Sequence, residues 1–419
     1  MKTSPPEAVG ISSQRLTRLG DWLRQQVTSK RLAGCSVLLC RKGREAFFDA
    51  AGLSAIEASR SFDRETVVRI FSMTKPITTV AAMMLYEEGC FQLDDPVSRY
   101  IPAFSEMTVW QGGSIDNAVP ARSPITIKQL MTHTSGLTYG FMHASVVDAR
   151  YRELLDSDPD MPLNAWAELL ATIPLLCEPG SQWNYSVSTD LLGRLIEVWS
   201  GQTLEAFFEQ RIFSMLGMSD TGFHVKPANH HRFAALYGPA SGVTLATMGQ
   251  QRNRDTERAP DIKLLESAER SRYLAPATHF SGGGGLVSTI ADYARFCQMM
   301  LSGGAHEGQR LLSPKTVGFM MRNHLPDGRD MAAMGQPIWS ETSYDGIGFG
   351  LGGAVVLDPV KAQTITSAGE YHWGGAASTF FWIDPVEELY VVFLTQLLPS
   401  STYPIRRELR TRVYQALVG

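Results

Sequence analysis

The chain has 419 residues, 44% of them hydrophobic and 19% charged, with a formal net charge of -4. These values fit a globular protein with a substantial core, built as one large unit or two interlocked ones, and the weak negative balance without a long basic block excludes a nucleic-acid or anionic-membrane surface. Met1–Glu7 lacks the apolar h-region of a signal peptide, no apolar run approaches the ~18 residues of a membrane span, and five scattered cysteines (Cys35, Cys40, Cys90, Cys177, Cys297) without a C-x-x-C pair read as free thiols of a cytoplasmic protein.

Residues 11–30 carry Leu16, Leu19, Leu23 and Val27 near helical spacing, which predicts an amphipathic helix. Cys35–Cys40, then Arg41-Lys42-Gly43-Arg44, then Glu45–Phe48 read as strand, turn and strand, a hairpin. The apolar run Pro76–Leu85 predicts a helix beginning just after Ser72. Residues 94–165 are rich in Pro, Asp, Gly and Ser and read as a loop-rich region wrapped over that helix start. Asp190–Trp199 is a helix stopped by Gly201, and another helix covers 203–215. Residues 226–275 are polar and aperiodic, a surface excursion of the kind from which lids are built. Strands return at 354–357, 378–383 and 389–394, and a last helix covers 404–417. Both termini therefore contribute to one sheet. The predicted fold is α+β, an antiparallel sheet flanked by the N- and C-terminal helices plus a mostly helical second domain. The expected division is 1–95 with 221–419 against 96–220, with the active site in the cleft between them.

Ser72-Met73-Thr74-Lys75 places a hydroxyl and an amine three residues apart at the head of an apolar helix. Positions i and i+3 share a helix face, so the lysine nitrogen reaches the serine oxygen without help from elsewhere. The helix start also directs free backbone N–H groups towards the serine. A nucleophile, a base and an electropositive helix end are the parts of an acyl-transfer site. An N-capping serine beside a solvated lysine would use the same spacing. As a base, Lys75 must be partly neutral at about pH 7, which burial and nearby positive charge achieve. Tyr185 follows a Pro179-Gly180 turn and precedes a helix, so it projects from a loop. A phenol close to an ammonium has its pKa lowered and can pass a proton to a leaving group, whereas packing is the commoner fate of a tyrosine. In His372-Trp373-Gly374-Gly375-Ala376-Ala377-Ser378 the Gly-Gly pair before a strand lets a ligand approach the backbone. The Ala376 N–H would then join that of Ser72 in an oxyanion hole, the alternative being an ordinary turn.

Together these segments resemble the serine β-lactamase and penicillin-binding-protein superfamily, in its class C β-lactamase-like branch and specifically the family VIII carboxylesterases. The resemblance spans nearly the whole chain through Phe71–Lys75, Leu93–Pro102, Leu130–Leu137, Tyr185-Ser186, Gly284–Thr289 and Trp373–Gly375. It implies that Ser72 is the nucleophile, that Lys75 and Tyr185 share the acid–base work, and that Trp373 to Ala376 replace the β-lactamase Lys-Thr-Gly strand. It implies no metal and no cofactor. Two departures matter. The β-lactamases of this class have Tyr-x-Asn, whose asparagine contacts the antibiotic's amide, and here Val187 stands third. Their Lys-Thr-Gly lysine helps bind a carboxylate, and here Trp373 offers no charge. Val187, Trp373, Gly374 and Gly375 are thus expected to shape the site for an uncharged, short-chain ester, a small-molecule substrate, with slow β-lactam opening still open to it.

Other features point elsewhere and are weaker. Gly348-Phe349-Gly350-Leu351-Gly352-Gly353 fits a dinucleotide pattern but lacks the strand before and helix after, and reads as a glycine-rich strand. Ser281-Gly282-Gly283-Gly284-Gly285 lacks the Gly-Lys-Ser/Thr of a phosphate loop and lets backbone pass the pocket wall. His133 reads as a structural histidine bridging backbone groups, and His230-His231 as surface. No G-x-S-x-G occurs, which disfavours an α/β-hydrolase. The alternatives are a β-lactamase, a D-amino peptidase or an acyltransferase on the same scaffold, or a silent penicillin-binding protein. The sequence leaves the oligomeric state open.

Overall fold

The computed structural model describes residues 2–240, 261–335 and 344–419. Helix α1 (Ser13–Thr28) starts where Ser12 Oγ accepts the Arg15 N–H at 3.3 Å, and it buries Leu16, Leu19, Trp22 and Leu23. The predicted hairpin is β1 (Gly34–Arg41) and β2 (Arg44–Ala55). Its two turn residues, Lys42 and Gly43, have φ of 51° and 71°. Positive φ at both positions suits the right-handed twist of the flanking strands. From the C-terminal part come β3 (Ile347–Phe349), β4 (Ala354–Val356), β5 (Tyr371–Gly374), β6 (Phe380–Asp384) and β7 (Leu389–Thr395). In space the order is Lys2–Thr3, β2, β1, β7, β6, β5, β4, β3. The pairs along this path are antiparallel, except that the short edge strand Lys2–Thr3 runs parallel to β2.

Alternation along the strands serves two cores. Val37, Leu39, Phe380, Trp382, Val391 and Phe393 face α1 and the C-terminal helix, Ile405–Tyr414. Leu38, Phe381, Ile383, Tyr390 and Val392 face the other way, towards α2 (Thr74–Glu87) and the helix Ile290–Leu301. Helix α2 is buried from Thr74 to Leu85 and packs on α3 (Ser188–Ser200). An apolar helix enclosed all round is a rigid base for the groups at its N-terminus.

One predicted element differs. The segment 203–215 is interrupted by a π-turn at Glu209–Phe213 between short helices Leu204–Phe208 and Ser214–Leu216. Phe207 and Ile212, and Phe208 and Phe213, are all buried and lie five apart, a spacing that a π-turn stacks and an α-helix does not. Trp373 and Gly374 end strand β5, as the resemblance implies and against the alternative of an ordinary turn, because they pair with Phe381 and Phe380 of β6. The chain reverses one residue later, with the Gly375 N–H on Thr379 O at 2.9 Å and Ser378 at φ 67°. Of the expected surface excursion, residues 241–260 lie outside the described residues, and its flanks form the ribbon Leu236–Pro239 with Ile262–Glu266. Among the described residues no helix is long and apolar enough to cross a membrane.

Candidate active site

The chain enters α2 through a tight turn, Phe71–Met73, in which Phe71 has φ 43°. That left-handed conformation is rare for a bulky residue and is held only when its surroundings demand it. The anchors are the Ile70 N–H on Leu286 O at 3.1 Å and the Tyr293 hydroxyl on Met73 O at 2.9 Å. Ser72 does not cap α2; the cap position is Met73, with no side-chain cap bond. Its Oγ instead receives the Tyr185 hydroxyl at 2.6 Å and lies 3.2 Å from Lys75 Nζ. Lys75 Nζ also reaches Tyr139 Oη at 3.0 Å and the Gly283 carbonyl at 2.7 Å.

Lys75 is fully buried, and burial lowers its pKa from 10.5 to about 7, with Asp190 acting against the fall. A neutral amine has two hydrogens and one lone pair. Directed at Gly283 O and Tyr139 Oη, the hydrogens leave the lone pair for Ser72. Tyr185 differs from expectation: burial pushes its phenol pKa upward, although its bond to Ser72 acts downward. The Lys75 amine lies over the Tyr185 ring, 4.5 Å from its centroid.

Ser72 and Ala376 line two cavities at once. The larger, about 410 Å³, has walls from Phe71, Tyr139, Phe141, Trp166 and Val187. The smaller, about 80 Å³, has walls from Trp373, Gly374, Gly375 and Arg406. Among the described residues neither the Ser72 nor the Ala376 N–H donates to a backbone carbonyl. Gly375 presses on the turn before Ser72, since a Cβ there would lie 2.3 Å from Ile70 O. All eight residues singled out in the sequence thus meet around one hydroxyl.

Four further groups escaped sequence reasoning: Tyr139, the Gly283 carbonyl, Asp190 and Arg406. Arg406 corrects the expectation that the Trp373 side holds no charge. Its guanidinium comes from the C-terminal helix and reaches Gly375 O at 3.2 Å. The helix period places it, and no local pattern announces it. His133 is buried among Trp183, Tyr185 and Phe349, with Nδ1 3.2 Å from Ser186 Oγ, so its ring braces a side chain where a bridge between backbone groups was the expectation. Burial lowers its pKa well below the usual histidine range. The glycine run 281–285 passes the pocket wall as expected. Among the described residues no group of three or more His, Cys, Asp or Glu could hold a metal ion.

A depressed lysine pKa has a stability signature. Between about pH 7 and pH 10 the unfolded chain holds a proton on Lys75 that the folded chain has lost, so stability gains as pH rises through that window. Lys75→Met removes the effect. The stability of wild type relative to Lys75→Met is expected to improve by roughly 1.4 kcal/mol per pH unit within the window. Urea unfolding of both proteins at pH 7, 8 and 9 checks it, and a constant difference would contradict the depressed pKa.

The Beta-lactamase family matches residues 19–415 of the chain. Esterase EstB of Burkholderia gladioli is 32% identical over 418 residues, 98% of each chain. Acyltransferase calJ of Penicillium decumbens is 28% identical over 388 residues, 90% of this chain and 87% of that one. Among solved structures, EstCE1, described as a hydrolase with promiscuous acyltransferase activity, superposes with a TM-score of 0.77 at 28% identity, covering 96% of this chain and 99% of its own. Since the family match and the EstB alignment both run through the turn at Ser72, the loop at Tyr185 and the β5 strand, the chain belongs to the Beta-lactamase family, among its esterase-like members.

Proposed function

We propose that this protein is a serine carboxylesterase that hydrolyses short-chain acyl esters through an acyl-enzyme on Ser72. The observation that carries this reading is the Ser72 hydroxyl held between Lys75 Nζ at 3.2 Å and Tyr185 Oη at 2.6 Å where two cavities meet. Lys75, neutral, takes the Ser72 proton as Oγ attacks the ester carbonyl. The oxyanion forms on the N–H groups of Ser72 and Ala376. The carbon–oxygen bond to the alcohol then breaks, and the alcohol leaves with the Tyr185 proton. The Lys75 ammonium returns a proton to the phenolate. Water repeats the sequence on the acyl-enzyme, giving its proton to the pair and releasing the acid as Ser72 recovers its own. The raised phenol pKa supports Tyr185 as the acid and Lys75 as the base. The chemistry assigned to these residues requires no metal or cofactor. The division into 1–95 with 221–419 against 96–220, and a cytoplasmic location, belong to the same proposal, the latter supported by the scattered cysteines.

Val187 lines the larger cavity and can pair with no amide, which supports esters over β-lactams. Wild type is expected to turn over p-nitrophenyl butyrate with a higher kcat/KM than nitrocefin. Val187→Asn should raise the nitrocefin-to-ester ratio by about 2–10-fold, the worth of one neutral hydrogen bond. A wild type that prefers nitrocefin would replace the esterase reading by a β-lactamase.

The second cavity on Ser72 supports a second reading, transfer of the acyl group to an alcohol. It agrees with the acyltransferase named among the relatives and with the activity described for EstCE1. Adding a primary alcohol to the ester assay and measuring the new ester by mass spectrometry decides between water and alcohol as acceptor.

A further inference from the structure

Asp190 stands in the first turn of α3, where an aspartate ordinarily serves the helix end. The residue is 5% exposed, and its carboxylate turns away from that duty. Oδ1 accepts the Ser281 hydroxyl at 2.5 Å and the Gly283 N–H at 2.9 Å, and no ion pair reaches it among the described residues. The Gly284 N–H in turn donates to Ser281 Oγ at 3.0 Å. The same peptide unit presents the Gly283 carbonyl to Lys75 Nζ at 2.7 Å. Read in order, Lys75 donates to the Gly283 carbonyl, the Gly284 N–H donates to Ser281 Oγ, and the Ser281 hydroxyl donates to Asp190.

Every bond in that chain runs in one sense, so each polarises the next, and a negative charge at its end is felt at the amine. The loop has no slack. A Cβ on Gly283 would lie 2.3 Å from Asp190 Oδ2, and one on Gly282 would lie 2.6 Å from Thr189 O. Thr78 Oγ1 ties the Gly282 carbonyl to α2 at 2.7 Å. The glycines therefore admit the carboxylate against the peptide that carries its field.

We propose that Asp190 is a positioning residue which, through Ser281 and the Gly283–Gly284 peptide, sets the proton affinity of Lys75. The role rests on Lys75 being the base of Ser72. Other groups surround the pair. Tyr139 and Tyr185 stay protonated because they are buried, His133 is held neutral by burial, Asp156 lies beyond Tyr139, and Arg406 acts on Tyr185 from the C-terminal helix. Asp190 is the charge that opposes the effect of burial on Lys75. Without it, the amine would lose its proton more readily and at lower pH.

The test is kcat/KM for p-nitrophenyl butyrate across pH 5–9, whose acid limb reports the free enzyme's base. Asp190→Asn keeps an oxygen for Ser281 and Gly283 and removes the charge. Its acid limb is expected to move to lower pH by roughly one unit, the size of a nearby opposite charge. A lower plateau with an unmoved limb would reduce Asp190 to a structural role and overturn the proposal. If Asp190→Asn does not fold, by circular dichroism and thermal melting, Ser281→Ala decides. It cuts the chain of bonds and leaves the carboxylate, so its limb should fall by several tenths of a unit; an unmoved limb overturns the proposal. Ser72→Ala is assayed alongside. Activity surviving there would remove the underlying assignment of the site, whereas a dead Ser72→Ala with an unmoved Asp190→Asn limb would remove the Asp190 role alone.

Discussion

Ser72→Ala is expected to lose ester hydrolysis by at least ~10³-fold and to lose covalent labelling by a fluorophosphonate entirely. The loss follows from the absence of another oxygen at that point: the Oγ is the atom on which Lys75 and Tyr185 converge, and both cavities open on it. Groups that act as a unit with their nucleophile contribute little once it is gone, and the residual rate comes from binding and the oxyanion donors. The fold should persist. The variant removes one hydrogen-bond partner of the Tyr185 hydroxyl, a change that costs about 0.5–1.5 kcal/mol, and Ser72 caps no helix. Intact-mass spectrometry after labelling reads the result directly. A full adduct in Ser72→Ala would assign the nucleophile to another residue.

Lys75→Met and Tyr185→Phe should each lower kcat/KM by on the order of 10²–10⁴, the usual contribution of a positioned acid or base. The double variant should be far less than multiplicatively worse, because either loss already interrupts the same proton path. The pH profile follows from the two environments. Lys75, lowered by burial to about 7, must be neutral to accept the Ser72 proton, so activity should rise through about pH 7. Burial holds the Tyr185 proton well above the ordinary phenol range, so no fall should follow up to about pH 9. The apparent pKa belongs to the coupled set and not to one residue. Rates measured from pH 5 to 9 with a neutral ester check both arms. A profile declining above neutrality would mean that a protonated Lys75 is the working form, and a Tyr185→Phe enzyme of wild-type activity would take Tyr185 out of the path.

What was legible in the sequence is what short-range geometry dictates. Ser72 and Lys75 are three residues apart, and a helix brings such residues together whatever surrounds them. The hairpin at Lys42, the terminal helices and the late strands follow from periodicity and turn chemistry in the same local way. The position of Tyr185 came from resemblance, since a tyrosine before a helix has many fates. Its protonation did not follow from its neighbours, because a nearby ammonium argues for an acidic phenol while enclosure, visible only in three dimensions, raises it. Tyr139 and the Gly283 carbonyl meet Lys75 from 64 and 208 residues away, and a backbone carbonyl leaves no mark in a sequence. Local chemistry leaves Trp373-Gly374 open to a turn or a strand, and pairing with Phe381 and Phe380 of β6 decides for the strand that the resemblance implies. Arg406 corrects an uncharged wall because the C-terminal helix packs against the sheet beside Gly375. In each case tertiary packing decides, since the charge, the carbonyl or the strand partner that sets the chemistry lies far along the chain and arrives only when the cores close.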